Sequence, residues 1–184
     1  MGIVLITPSL GLADLEEYDR IGTLVILLVT IVIANKFFPI NKNIFNLQID
    51  YKFLFILFLL GIILFILTVS IASLLGFNFN HKLYNNTTAI YLDILSFIIL
   101  APFIEEVFFR GIIFYNLLKR YSFWISAVYS SILFSISHIS FYMLIPAFII
   151  GIVLSWILKK KMNIIYCIVA HAIINLLNIL ILKM

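Results

Sequence analysis

Long apolar stretches alternate with short polar breaks along the whole chain. The stretches have the length of membrane-crossing helices, which need about 20 predominantly apolar residues. Residues 13–20 are acidic and read as an exposed lead-in. A first span is expected over 21–34, extended by 37–40, with Lys36 and Pro39 blurring its end. After a polar loop at 41–52 comes a second span, 53–77, and then a polar loop, 77–88, carrying His81, Lys82, Asn85 and Asn86. The third span runs over 89–118 with Pro102 in its middle, where the missing N–H predicts a kink. The fourth is expected at 123–143, the fifth at 144–158 with Pro146 near its start, and the sixth at 164–182. The pattern predicts an all-α, polytopic transmembrane helix bundle of about six spans, organised as a single membrane domain over 1–184.

Composition agrees with that pattern. Hydrophobic residues make up 65% and charged residues 11%, against roughly 45–50% and 25% in soluble domains. The formal net charge of +4 is no nucleic-acid signature, because the lysines lie in the breaks between spans rather than along one stripe. Cys167 is the only cysteine, which excludes an internal disulfide and a CxxC metal or redox pair. The apolar start lacks the positive region of a signal peptide, so the N-terminus is expected to be retained. With the N-terminus outside, Lys36, Lys42, Lys52, Lys119, Arg120 and the lysines at 159–161 fall inside, against Arg20, Lys82 and Lys183 outside. The tendency of basic loops to stay inside therefore favours a multi-pass cell-membrane protein with both termini outside.

Against this background the run 101–111, Ala-Pro-Phe-Ile-Glu-Glu-Val-Phe-Phe-Arg-Gly, stands out. Charges at membrane depth cost on the order of 2.5–3.5 kcal/mol each on insertion scales and call for partners. Glu106 and Arg110 are i,i+4 and share a helix face. Glu105 lies about 100° round the helix and is free to face something else. Two of the three histidines also lie inside spans, His138 in the fourth and His171 in the sixth, with Asn175 one turn beyond His171. At about 1.5 Å per helical residue, Glu105 comes ~22 Å from Arg120, His138 ~24 Å from Ser122, Asn175 ~21 Å from Lys161, and His171 ~15 Å. Three spans thus bring ionisable or amide groups to similar depth. A lone membrane histidine or asparagine commonly serves as an interhelical hydrogen-bond partner; an unpaired carboxylate is harder to explain structurally. Cys167 is i,i+4 from His171, and the plain reading of such a thiol is a small buried hydrophobe. The H-E-x-x-H zinc signature and the G-x-S-x-G elbow are both absent.

Glu105-Glu106-Val107-Phe108-Phe109-Arg110 resembles the EExxxR motif of the CAAX prenyl endopeptidase and bacteriocin-processing (CPBP, or Abi) family. Phe134-x-x-x-His138 is similar to that family's second motif and His171-x-x-x-Asn175 to its third, in the same order, over about 90–180. The resemblance implies an intramembrane endopeptidase with a protease-like helical core at 90–180 and, as catalytic residues, Glu105, His138, His171 and Asn175, supported by Glu106 and Arg110. Glu105 and His138 would activate a water, while His171 and Asn175 would stabilise the oxyanion. The set Glu105, His138 and His171 also suits a zinc ion with one open position, so a metal-free and a zinc-dependent enzyme both stay open. The implied partners are a peptide or lipidated peptide substrate and membrane lipid, with no nucleic acid. The competing expectation is a non-catalytic scaffold, or a bacteriocin self-immunity or signalling protein of the same family.

Overall fold

A computed structural model describes residues 12–76, 95–138 and 141–182. The loop expected at 77–88, with His81, Asn85 and Asn86, lies outside the described residues. Among the described residues the regular structure is helical throughout. Helix α1 is Leu12–Phe37, so the acidic lead-in is wound into the same helix as the first span. A single 3₁₀ turn, Lys42–Ile44, precedes α2, Tyr51–Leu74. A third helical path, α3, passes without a break through Leu95–Leu100, Ala101–Glu106, Val107–Phe114 and Tyr115–Leu118. Then come α4 (Phe123–Ser137), α5 (Phe141–Lys161) and α6 (Ile164–Leu182).

Capping explains several of these limits. Asp50 accepts a hydrogen bond from the Phe53 N–H at 3.1 Å, which starts α2 two residues earlier than hydropathy suggests. Ser122 caps α4 through the Ile125 N–H, and Asn163 accepts from the Ile165 N–H at the start of α6. The boundary between the fourth and fifth spans differs from expectation. Helix α4 ends at Ser137, and α5 begins at Phe141 rather than 144, so His138 terminates its helix instead of lying inside it. The Ser135 and Ser137 hydroxyls donate to the Ile132 and Phe134 carbonyls, and such side-chain bonds compete with helix propagation.

The helices pack as a bundle, with α2 against α5 and α6, α4 against α5, and α3 against α4, α6 and α1. Close approach is set by small residues. A Cβ on Gly151 of α5 would lie 2.7 Å from the Ser131 Cβ of α4. Leu57, Phe114, Phe134, Leu154, Ile157 and Ile174 fill the centre, while Phe55, Ile56, Ile63, Trp124 and Ile136 point outward. An apolar exterior around an apolar core is what a lipid-embedded chain requires. Among the described residues two helices, Tyr51–Leu74 and Phe141–Lys161, are long and apolar enough to cross a membrane; Val25–Phe37, Phe123–Ser137 and Ile164–Leu180 are apolar but shorter.

The lysine-bearing breaks gather at one end of the bundle. Lys161 Nζ donates to Asp50 Oδ2 at 3.0 Å, the Asn163 amide donates to the Asn46 carbonyl at 2.7 Å, and Asn41 hydrogen-bonds the Tyr115 hydroxyl. A cavity of about 570 Å³ brings Phe37 and Phe38 beside Lys119 and Arg120 at the same edge.

Candidate active site

The middle of α3 is where the winding departs most from a plain α-helix. Leu95–Leu100 and Val107–Phe114 are π-helical, and the α-helical stretch between them carries Pro102 in its first turn and both glutamates in its last. The kink expected at Pro102 falls where the winding changes from π to α. Proline has no N–H to bond back along the helix, so the lost hydrogen bond at Pro102 coincides with that change of winding. Wide π turns inside helices are rare and recur at functional sites.

Arg110 and Glu106 are both fully buried, and Arg110 Nη1 donates to Glu106 Oε1 at 3.1 Å. The same oxygen lies 2.9 Å from His171 Nδ1. An ionised carboxylate only accepts, so Nδ1 carries the proton and the other ring nitrogen of His171 turns to the remaining glutamate. His171 Nε2 stands 3.9 Å from Glu105 Oε2. One imidazole therefore sits between two adjacent carboxylates, in a hydrogen bond with one and beyond hydrogen-bond reach of the other. Among the described residues Glu105 Oε2 has no hydrogen-bond partner. The Glu105 side chain keeps 20% exposure where Glu106 has none, although the Glu105 oxygen that faces His171 is itself buried.

His138 and Asn175 flank this centre. His138 Nδ1 is 2.8 Å from the Phe134 carbonyl, an acceptor only, which leaves its Nε2 with a lone pair. The Phe134 ring joins the parts. It packs edge-on against His138 (4.6 Å between centroids) and His171 (5.7 Å), and the Arg110 guanidinium lies over it at 4.2 Å. Asn175 donates one amide N–H to the Phe97 carbonyl at 2.9 Å, tying α6 to the first π stretch of α3. Its second N–H remains available.

The six residues singled out from sequence thus lie on α3, α6 and the end of α4, and three of them, Arg110, His138 and His171, meet at the Phe134 ring. The bond between Glu106 and His171 is not implied by spacing along the chain. Spacing assigned Glu106 to Arg110, but a carboxylate oxygen has room for two donors. Phe134 went unread as a junction, although it shares a helix face with His138 at i,i+4. The Phe97 carbonyl leaves no trace in a sequence. Cys167 is excluded from this centre, since its thiol donates to the Leu154 carbonyl at 3.3 Å.

The histidine tautomers are those of zinc-binding imidazoles, each giving its second N–H to a carboxylate or a backbone carbonyl. Zinc also needs convergence, and among the described residues no three His, Cys, Asp or Glu side chains gather as a metal site would require. The donor set as placed does not fit the ion, and no step is routed through it.

An apolar-surfaced helical bundle with carboxylates, imidazoles and an amide on three neighbouring helices defines a class, that of membrane-embedded proteins with a buried polar cluster. The centre's residues fall within 86–177, half of the chain, where a family model matches. The chain belongs to the type II CAAX prenyl endopeptidase Rce1-like family. Neither the curated proteins nor the solved structures gave a match. The family is one of proteases, which makes this a protease-family membrane protein.

Proposed function

We propose that the protein is an intramembrane endopeptidase acting on a membrane-associated or lipidated peptide. The observation that carries this reading is Glu105 Oε2, a buried oxygen without a hydrogen-bond partner among the described residues, 3.9 Å from the Nε2 of a histidine that a second glutamate holds in place. In this reading a bridging water donates a hydrogen bond to each of those two atoms.

In the reaction Glu105, assisted by His138, takes a proton from that water as its oxygen attacks the scissile carbonyl carbon. The electron pair of the C=O bond moves onto oxygen, and the free N–H of Asn175 donates to the oxyanion, while Nε2 of His171 keeps its hydrogen bond from the proton left on the attacking oxygen. One such donor is typically worth about 10²–10³ in rate. Collapse of the intermediate breaks the C–N bond, and the proton held at the Glu105–His138 pair passes to the leaving amine. Glu106 and Arg110 position His171 rather than touch substrate. In the same reading the chain is one membrane domain with about six spans, both termini outside, and its protease-like core at 90–180.

The test compares wild type with Glu105→Gln in detergent on prenylated and unprenylated peptides ending in the CAAX pattern, with and without a zinc chelator. Cleavage should fall by about 10³ in the variant, in line with loss of a group acting in the transition state, while the melting temperature holds. Equal cleavage by both proteins would remove Glu105 from the mechanism. Chelator-sensitive cleavage would overturn the metal-free form of it. Activity absent from wild type on every peptide would favour the scaffold or immunity alternative.

A further inference from the structure

At the lysine-rich end a groove of about 230 Å³ runs between the start of α2 and the end of α5, and no glutamate or histidine lines it. Its rim is Lys52, Lys160 and Lys161, and its walls are Ile56, Leu60 and Trp156. Asp50 is the only acid in the lining, and it is engaged by Lys161 at 3.0 Å. Lys52 and Lys160 therefore present their charge to a groove containing no other carboxylate. The Lys160 ammonium stands 4.7 Å over the Trp156 ring, so the exposed indole and the charge form one surface. The wall below is apolar and open to the outside of the bundle, Ile56 being 55% and Trp156 45% exposed. On the other side of Asp50 and Lys161 lies an open cleft of about 310 Å³ lined by the polar Asn46, Gln48 and Asn163.

A cationic rim, an interfacial tryptophan, an apolar wall and an adjoining polar cleft match the parts of one kind of molecule. We infer that this groove binds an anionic phospholipid, its phosphate at Lys52 and Lys160, its headgroup toward the polar cleft and an acyl chain along Ile56, Leu60 and Trp156. Basic pockets between membrane helices bind acidic headgroups in this way, and tryptophan settles at headgroup level. Free phosphate would use the lysines alone and leave the wall unused. The site is separate from the proposed reaction centre and stands whatever that centre does.

The experiment is native mass spectrometry of the purified full chain in detergent. Phosphatidylglycerol and phosphatidylcholine of identical acyl chains are titrated in, with and without millimolar inorganic phosphate. Wild type should retain phosphatidylglycerol in preference to phosphatidylcholine, and phosphate should not displace it. The exposed double variant Lys52→Gln/Lys160→Gln should bind phosphatidylglycerol on the order of 30-fold more weakly, roughly fivefold per lysine. Trp156→Ala should weaken it as well. Lys119→Gln/Arg120→Gln, which removes the same charge elsewhere at that end, should bind like wild type. Equal loss in both double variants would overturn the proposal in favour of diffuse attraction. Displacement by phosphate, or equal retention of phosphatidylcholine, would overturn it too.

Discussion

Two acid–base pairs in this molecule have nearly the same length and very different surroundings. Asp50 and Lys161 meet at 3.0 Å with side chains 47% and 27% exposed, and Glu106 and Arg110 meet at 3.1 Å with no exposure at all. Distance does not rank them; solvation does. At the exposed end water and salt compete for both charges, and such pairs add little to stability. In the core each charge has lost its water, and their attraction has to offset that loss with help from further hydrogen bonds. The core pair meets this need only in part. Among the described residues Glu106 Oε2, Arg110 Nε and Arg110 Nη2 have no hydrogen-bond partner. A pair that is costly to bury and incompletely satisfied is poorly explained as a fastening, whereas holding the Nδ1 of His171 gives it work to do.

The sharpest way to break the comparison is Arg110→Leu. It leaves Glu106 buried without its cation and should cost about 3–5 kcal/mol of stability, the scale for breaking a buried pair, read as a large fall in the unfolding midpoint. Replacing both partners, Glu106→Gln with Arg110→Met, should restore most of that stability, because a buried pair exchanged for neutral side chains is often energetically neutral. Cleavage should stay lower by about 10–100-fold, as when an outer-shell partner of a functional histidine is lost. Recovery of both stability and activity would show that the pair is a fastening after all. The smallest effect belongs to Asp50→Asn, whose midpoint should move by less than about 2 °C at neutral pH in physiological salt. The ammonium of Lys161, with the Phe53 N–H, holds the Asp50 carboxyl below its ordinary value of 3.8. A lowered folded-state value means that this contribution is complete above the unfolded value, near pH 4, and fades as pH falls through the lower folded value. Wild type and Asp50→Asn should therefore converge in strong acid, measured as midpoint against pH.

The two regions also differ in how far sequence reveals them. The Glu106–Arg110 pair follows from i,i+4 spacing, and the convergence of three spans follows from counting residues back from the lysine-rich end. The lysine clustering itself follows from alternation of the spans. What spacing does not carry is anything decided across helices or by the backbone. The Glu106–His171 bond depends on how α3 turns against α6, and the Asn175 contact ends on a carbonyl. The break after Ser137 is hidden because apolar residues resume at Phe141, while the signals that end the helix are serine and histidine bonds within its last turn. Hydropathy predicts about six crossings from stretches of the right size; the folded helices divide that apolar length unevenly, and among the described residues two of them have the length and apolarity of a crossing.

The π-helical stretches beside the glutamates also bear on how such a centre can be altered through descent. A wide turn holds one residue more than an α turn, so it behaves as an insertion absorbed without a loop. Losing one residue between Val107 and Phe114 would let that turn rewind as plain α-helix while the helix on either side keeps its register, whereas the same loss from the α-helical stretch before it would swing one side by about 100° relative to the other. Length within this helix is therefore a heritable variable of its own, and a one-codon deletion in its wide stretch is a milder edit than one among the residues of its α-helical stretch.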